Sequence, residues 1–130
     1  MIVKENDISL LKNIFNEYKD NYHPYISEFT NIYTYAVENK IVGFLVFDIM
    51  YEKCEIIDIY VSENYRRKGI ARLLLLEIEK DYSLENITLE VSSNNKSAIG
   101  LYEKLSYRKV AIRKNYYKDS DAILMLKEIR

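Results

Sequence analysis

Residues 56–77, IIDIYVSENYRRKGIARLLLLE, decide how this chain is read. An apolar, β-branched run from Ile56 to Val61 breaks at Ser62-Glu63-Asn64-Tyr65, and Arg66-Arg67-Lys68-Gly69-Ile70-Ala71 then opens a leucine-rich helix. The first turn of a helix leaves several N–H groups without intrahelical partners, at the positive end of the helix dipole, and such an end binds anions. Gly69 tolerates positive φ and admits a ligand close to the main chain. Ala71 leaves further room, and three basic residues raise the local potential. Two readings stand side by side: a pyrophosphate cradle, and an ordinary strand-turn-helix junction with a solvated basic turn.

Working towards the N-terminus, Ile32 to Val37 and Ile41 to Ile49 are rich in β-branched and aromatic residues, and Glu38-Asn39-Lys40 between them reads as a tight hairpin. Tyr51-Glu52-Lys53 is a second turn, leading into a strand from Cys54 to Val61. Asn6 or Asp7 caps a helix in which Leu10, Leu11, Ile14, Phe15 and Tyr18 recur at helical spacing, and a short helical or irregular piece spans Tyr22 to Phe29. Towards the C-terminus, a helix runs from about Lys68 to Tyr82 and Ile87 to Val91 forms a strand. Asn94 or Asn95 caps a helix through Leu105, and Tyr107 to Ile112 and Ala122 to Leu126 are the last strands. A strand-helix-strand-helix-strand centre flanked by hairpins gives an α+β fold with an α/β-like core and a sheet of mixed direction. No repeat or linker interrupts residues 1–130, which read as one domain.

Composition narrows the functional class. At 130 residues, 48% hydrophobic and 30% charged, the chain has the balance of a globular protein. Its 19 basic and 20 acidic side chains leave a net charge of -1, so no global field favours DNA, RNA or anionic lipid. Apolar runs such as Leu73 to Leu76 fall short of a membrane span and the N-terminus has no signal-peptide pattern, so no membrane partner and a cytoplasmic location are expected. A single cysteine, Cys54, and a single histidine, His23, offer neither a disulfide nor a thiol or imidazole metal cluster.

The turn Tyr65-Arg66-Arg67-Lys68-Gly69-Ile70-Ala71 resembles the Q/R-x-x-G-x-G/A acyl-CoA signature of the Gcn5-related N-acetyltransferases (GNAT). The likeness continues in order through Leu89-Glu90-Val91, Asn95, the stretch from Ala98 to Tyr107, Asn115-Tyr116-Tyr117 and Asp121-Ala122-Ile123, covering roughly Val42 to Ile129. Within that family it is most similar to the bacterial enzymes that acetylate the N-terminal alanine of a small-subunit ribosomal protein. The resemblance implies a mixed, mostly antiparallel sheet of about seven strands, with splayed central strands and about four helices. It also implies acetyl-CoA as cosubstrate, no metal, and a monomer or weak dimer.

Roles follow from the resemblance position by position. The backbone of Ile59, Tyr60 and Val61 pairs with the pantetheine amides. Arg66, Arg67, Lys68, Gly69, Ile70, Ala71 and Arg72 form the pyrophosphate stretch, and Asn95 contacts the cofactor arm. Tyr102 falls on the tyrosine that protonates the departing thiolate. Glu90 falls on the carboxylate that accepts the amine proton. Glu55 is a rival base, at the strand position where the histone-acetylating branch carries its glutamate. Three departures stand out: Leu105-Ser106-Tyr107 replaces the usual Leu-Gly-Phe, Ser92 stands where an arginine often follows the Glu-Val pair, and a Pro-Trp-Ser-like element has only Pro24-Tyr25-Ile26-Ser27 as counterpart.

Elementary amine chemistry bears on the acceptor independently. Attack requires a neutral amine. An α-amino group, with a pKa of about 7.7–8.0, is easier to deprotonate than a lysine near about 10.4 by roughly 3–4 kcal/mol. A weak base such as Glu90 therefore suits a protein N-terminus as acceptor. A small-molecule or lysine amine is the alternative acceptor, with the base role shifted towards Glu55. A catalytically weak acyl-CoA sensor or partner-binding module is the alternative from another class.

The same residues also admit plain structural roles. Glu90 can face solvent or pair with an arginine, Tyr102 is one of 13 tyrosines and packs at helical spacing, and Glu55 can be a surface residue. His23, in the stretch expected to line the acceptor groove, reads equally as a solvated loop residue, and Cys54 as a buried small hydrophobe. Arg108, Lys109, Arg113 and Lys114 fit a solvated strand edge as well as a contact to RNA or an acidic tail.

Overall fold

The computed structural model describes residues 1–130. Seven strands, β1 (Ile2–Lys4), β2 (Thr30–Val37), β3 (Lys40–Met50), β4 (Lys53–Val61), β5 (Asn86–Ser92), β6 (Arg108–Tyr117) and β7 (Ser120–Glu128), form one sheet in the order β1-β2-β3-β4-β5-β7-β6. Only β4 and β5 pair in parallel, joined through helix α2 (Ile70–Asp81). The other neighbours are antiparallel, which makes the sheet mixed and the fold α+β.

The hairpins follow from local chemistry. Val37 pairs with Lys40 across Glu38 and Asn39, both at positive φ (50° and 66°), the two-residue geometry that matches the strand twist. Tyr51, at φ 57°, opens the two-residue turn that joins Met50 of β3 to Lys53 of β4.

Alternation along the strands sorts side chains onto two faces. One face carries Leu45, Phe47, Cys54, Ile56, Val61, Ile87, Leu89, Val91, Ile123 and Met125. They pack against Ile70, Leu74, Leu75 and Ile78 of α2 and against Ile99 and Tyr102 of α3 (Lys96–Lys104). The opposite face carries Ile32, Phe44 and Val46 under α1 (Lys12–Tyr18), with Leu11, Ile14 and Phe15. Phe44 sits in an edge-on aromatic cluster, its ring centroid 4.9 Å from Phe15 and 5.6 Å from Tyr18. Such pairs add about 0.5–1.5 kcal/mol each beyond burial, which fastens this short helix to the sheet.

Several elements differ from the sequence expectation. Strand β1 has no counterpart in the sequence pattern, because three residues are too few for a period of two to register. Asp7 does act as a cap, accepting from the Ser9 N–H at 3.0 Å, but it opens a 3-10 turn (Ile8–Leu11) rather than an α-helix. That tighter winding leaves Leu10 exposed, whereas helical spacing places it with the core. Residues 22–29 are irregular, so there are three α-helices and not four. Helix α2 starts at Ile70, two residues later than expected, because Arg67 and Gly69 both lie in the left-handed region (φ 63° and 81°).

The C-terminal end of α3 fixes the direction of Tyr102. Ser106 N–H donates to the Glu103 carbonyl at 3.1 Å and Tyr107 N–H to the Tyr102 carbonyl at 3.0 Å, a Schellman closure. Ser106 occupies the left-handed position (φ 77°) that glycine usually fills, and the Tyr102 and Tyr107 rings meet across the turn at 5.7 Å.

Candidate active site

Strands β4 and β5 stay in register only from Lys53↔Asn86 to Glu55↔Thr88. Beyond that point β4 continues alongside β3, after a bulge that skips Ile57, while β5 follows β7. The two central strands therefore part, and a cavity of about 410 Å³ occupies the opening. Its wall is built from Glu55 to Ile59 of β4, Leu89 to Ser92 of β5, Asn95 at the start of α3 and Tyr102 within it, Tyr18 and Lys19 at the end of α1, and Tyr116 and Tyr117 of β6.

The backbone of β4 is polarised towards this gap. Ser62 N–H donates to the Val42 carbonyl at 2.8 Å, which makes Gly43↔Val61 a non-hydrogen-bonded pair of the antiparallel ladder. By alternation the main-chain groups of Ile59 and Val61 point away from β3, and those of Tyr60 are directed to Phe44. The Val61 carbonyl is taken by Arg66, whose Nε donates to it at 2.8 Å.

Each wall residue is held for an identifiable reason. Asn95 caps α3, its Oδ1 accepting from the Ala98 N–H at 3.2 Å, which leaves its NH₂ group for another acceptor. Tyr102 is buried, and its hydroxyl is pushed up to about 12, chiefly by that burial and secondarily by the charge of Asp58. It thus keeps its proton at neutral pH. Glu90 is half-buried, with Oε1 3.7 Å from Nη1 of Arg113 on β6. Glu55 is exposed on the same side of the sheet.

At the far end of β4 the turn from Arg66 to Arg72 lies outside the cavity lining. No side chain caps α2, so the N–H groups of its first turn are open, and a Cβ built on Gly69 would meet nothing within 4 Å. Arg67, Lys68 and Arg72 are exposed and form no ion pair within the chain. Open N–H groups, unneutralised cations and vacant space at a glycine together fit a phosphate group.

The acetyltransferase (GNAT) family pattern matches residues 6–107. This chain belongs to that family. Among curated GNAT relatives, the N-alpha-acetyltransferase of Saccharolobus solfataricus is 39% identical over 110 residues, covering 72% of this chain and 66% of that protein. The [ribosomal protein bS18]-alanine N-acetyltransferase of Escherichia coli K12 is 34% identical over 86 residues, 63% of this chain and 57% of that protein. The chain thus spans about two thirds or less of the length of these curated relatives. The crystal structure of the E. coli ribosomal-protein-S18-alanine N-acetyltransferase superposes with a TM-score of 0.83 at 26% identity, covering 99% of this chain and 94% of that one. A Bacillus anthracis protein assigned as a streptothricin acetyltransferase, solved in complex with acetyl coenzyme A, gives a TM-score of 0.72 at 26% identity, covering 92% and 70%.

Within this GNAT fold the cavity brings together Glu55, Ile59, Glu90, Asn95 and Tyr102 from the residues singled out in the sequence. It does not take in Tyr60, whose hydroxyl donates to Glu17 Oε2 at 2.8 Å, nor His23, which is exposed and outside the lining. Cys54 is buried in the main core, and its thiol is pushed up to about 12 by that burial. The basic residues of β6 lie on the sheet edge. Arg108 is 3.4 Å from Glu128 and Lys114 is 4.0 Å from Asp121, besides the Arg113 pair.

Sequence reasoning misses Asp58 and the tyrosines around it. Tyr18 donates to Asp58 Oδ1 at 2.8 Å, and Tyr22 donates to Asp58 Oδ2. The available signal is the charged residue itself, set inside the apolar run Ile56-Ile57-Asp58-Ile59. A buried strand gives no reason for a carboxylate there. Tyr116 and Tyr117 are legible only as part of the family pattern, because their approach to the cavity depends on the ladder irregularity between Arg113 and Tyr117.

Proposed function

We propose that this GNAT chain transfers an acetyl group from acetyl-CoA to a protein N-terminal α-amine, by direct attack in a ternary complex. The observation that carries the reading is the parting of β4 and β5, with Glu90, Asn95 and Tyr102 gathered around the opening. Acetyl-CoA would supply a thioester, an acetyl group already activated for attack by an amine. Residues 66–72 would hold its pyrophosphate, the open main-chain groups of Ile59 and the Val61 N–H its amide-bearing arm, and the Asn95 NH₂ group a further oxygen along that arm.

Glu90 takes the proton that the amine loses as the new C–N bond forms, directly or through a water molecule. Tyr102 donates a hydrogen bond to the sulfur as the C–S bond breaks, and its raised pKa keeps that donor in place. The names of the relatives support an α-amine as acceptor: an N-alpha-acetyltransferase and a ribosomal-protein alanine N-acetyltransferase. A cytoplasmic place of action and a single catalytic domain over 1–130 belong to the same reading.

A peptide array tests it. Sequences presenting a free α-amine are acetylated in preference to α-blocked sequences presenting only internal lysines. Labelling confined to lysines would overturn the acceptor assignment and move the base role to Glu55.

A further inference from the structure

Asp58 is the cavity's half-buried carboxylate without a cation. The other two acids of the lining differ from it: Glu90 has Arg113 at 3.7 Å, and Glu55 is exposed to water. Both Asp58 oxygens are engaged by neutral phenols, Oδ1 by Tyr18 at 2.8 Å and Oδ2 by Tyr22. Burial raises both phenols well above the ordinary tyrosine range, so both remain hydrogen-bond donors to Asp58. Lys19 is the cation nearest in the lining, but its ammonium sits over the Tyr18 ring, 5.2 Å from the centroid, and forms no ion pair with Asp58.

Buried charges in native proteins are paired, and a carboxylate accepting two hydrogen bonds retains lone pairs for more donors. Asp58 lines the same cavity as Tyr102 and Glu90. An amine acceptor at neutral pH arrives there largely as a cation. We propose that Asp58, aimed by Tyr18 and Tyr22, receives the ammonium form of the acceptor and so selects acceptors that carry a positive charge at the reacting nitrogen; the bound ammonium releases one proton to solvent before attack, and the second passes to Glu90 as the C–N bond forms. The inference rests on the acetyltransferase reading and names the residue that recognises its substrate class. It also gives the irregular segment after α1 a purpose. Tyr22 ties that segment to the floor of the site, and the Phe15–Tyr22 and Tyr18–Tyr22 ring contacts (5.1 and 5.0 Å) hold it there.

The test is calorimetric titration of the protein saturated with CoA, using an alanine-starting peptide with a free α-amine and its N-acetylated twin. The parent is expected to bind the free-amine peptide at least tenfold more tightly than the twin. Asp58→Asn should bring that ratio within twofold of unity while CoA affinity stays unchanged. Tyr22→Phe keeps the charge and should cost the ratio less than threefold. A ratio retained in Asp58→Asn, or absent in the parent, overturns the inference. So does a Tyr22→Phe variant as indiscriminate as Asp58→Asn, which would make the carboxylate only a tie for the chain. Acetyl transfer measured on the same preparations separates the two ideas. Transfer with an unchanged ratio discards Asp58 alone, and selective binding with no transfer to any amine discards the acetyltransferase reading alone.

Discussion

Glu55 on β4 and Thr88 on β5 are the last residues at which these two parallel strands stay in register. Past them, the main-chain groups of Ile59 and Val61 are turned away from β3 and meet no partner strand on the other side. Acetyl-CoA bound in that gap should slow amide exchange at Ile59 and Val61 by about tenfold or more, with no change at Tyr60, whose groups already serve the ladder with Phe44. Gly69→Glu places a carboxylate where the pyrophosphate would lie and should abolish this protection. It should also remove the thermal stabilisation by CoA, about 2.7 kcal/mol at a hundredfold excess over Kd. NMR-detected exchange and a melting curve with CoA check both.

Glu90→Gln and Tyr102→Phe remove a proton acceptor and a hydrogen-bond donor with little change of shape. Each should lower kcat by about 10²–10⁴-fold with acetyl-CoA affinity within twofold of the parent. Steady-state kinetics beside calorimetry read both quantities. Two variants as active as the parent would remove these residues from the catalytic account.

The pH dependence of the rate distinguishes acceptors. For an α-amine, kcat/KM should rise as the amine loses its proton and level near pH about 8, whereas a lysine acceptor would still be rising near about 10. Tyr102, pushed up to about 12, contributes no falling limb over that interval.

Stability has a separate alkaline limit. The Cys54 thiol is raised from 9.0 to about 12 in the folded state. The unfolded chain therefore releases this proton first, and the stabilisation present below pH about 9 is lost as pH rises towards about 12, at up to about 1.4 kcal/mol per pH unit. Melting temperatures should fall over this range, and Cys54 should resist thiol reagents until the chain unfolds.

Ser106 holds a left-handed position that costs a residue with a Cβ about 1–2 kcal/mol, and its side chain is exposed. Ser106→Gly should stabilise the protein by about 1 kcal/mol, measured by denaturant titration, while leaving the Schellman closure that orients Tyr102 intact.

Legibility in the sequence depends on the range over which each signal acts. The anion-binding turn is readable because its parts, basic residues, Gly69 and a helix start, are contiguous. Glu90, Asn95 and Tyr102 are readable only through their resemblance to a family pattern. Nothing in the periodicity of β5 or α3 says that their open faces meet at one cavity. The Asp58 cluster escapes because it joins residues 36 and 40 positions apart, through a bulge at Ile57 that flips the side-chain alternation of β4. The α2 boundary moves because the left-handed conformations of Arg67 and Gly69 are set by the turn as a whole and not by the propensity of either residue alone.

Acetyl transfer to an α-amine at the parting of β4 and β5 can be watched in a single catalytic cycle. Rapid-quench single turnover measures it most directly: protein saturated with acetyl-CoA is mixed with an alanine-starting peptide, and the peptide, released CoA and intact protein are followed by mass spectrometry. The peptide α-amine should gain one acetyl group in step with CoA release, with no acetylated protein at any time. Failure to release CoA with any free-amine peptide, or an acetylated protein that later passes the group on, would contradict direct transfer.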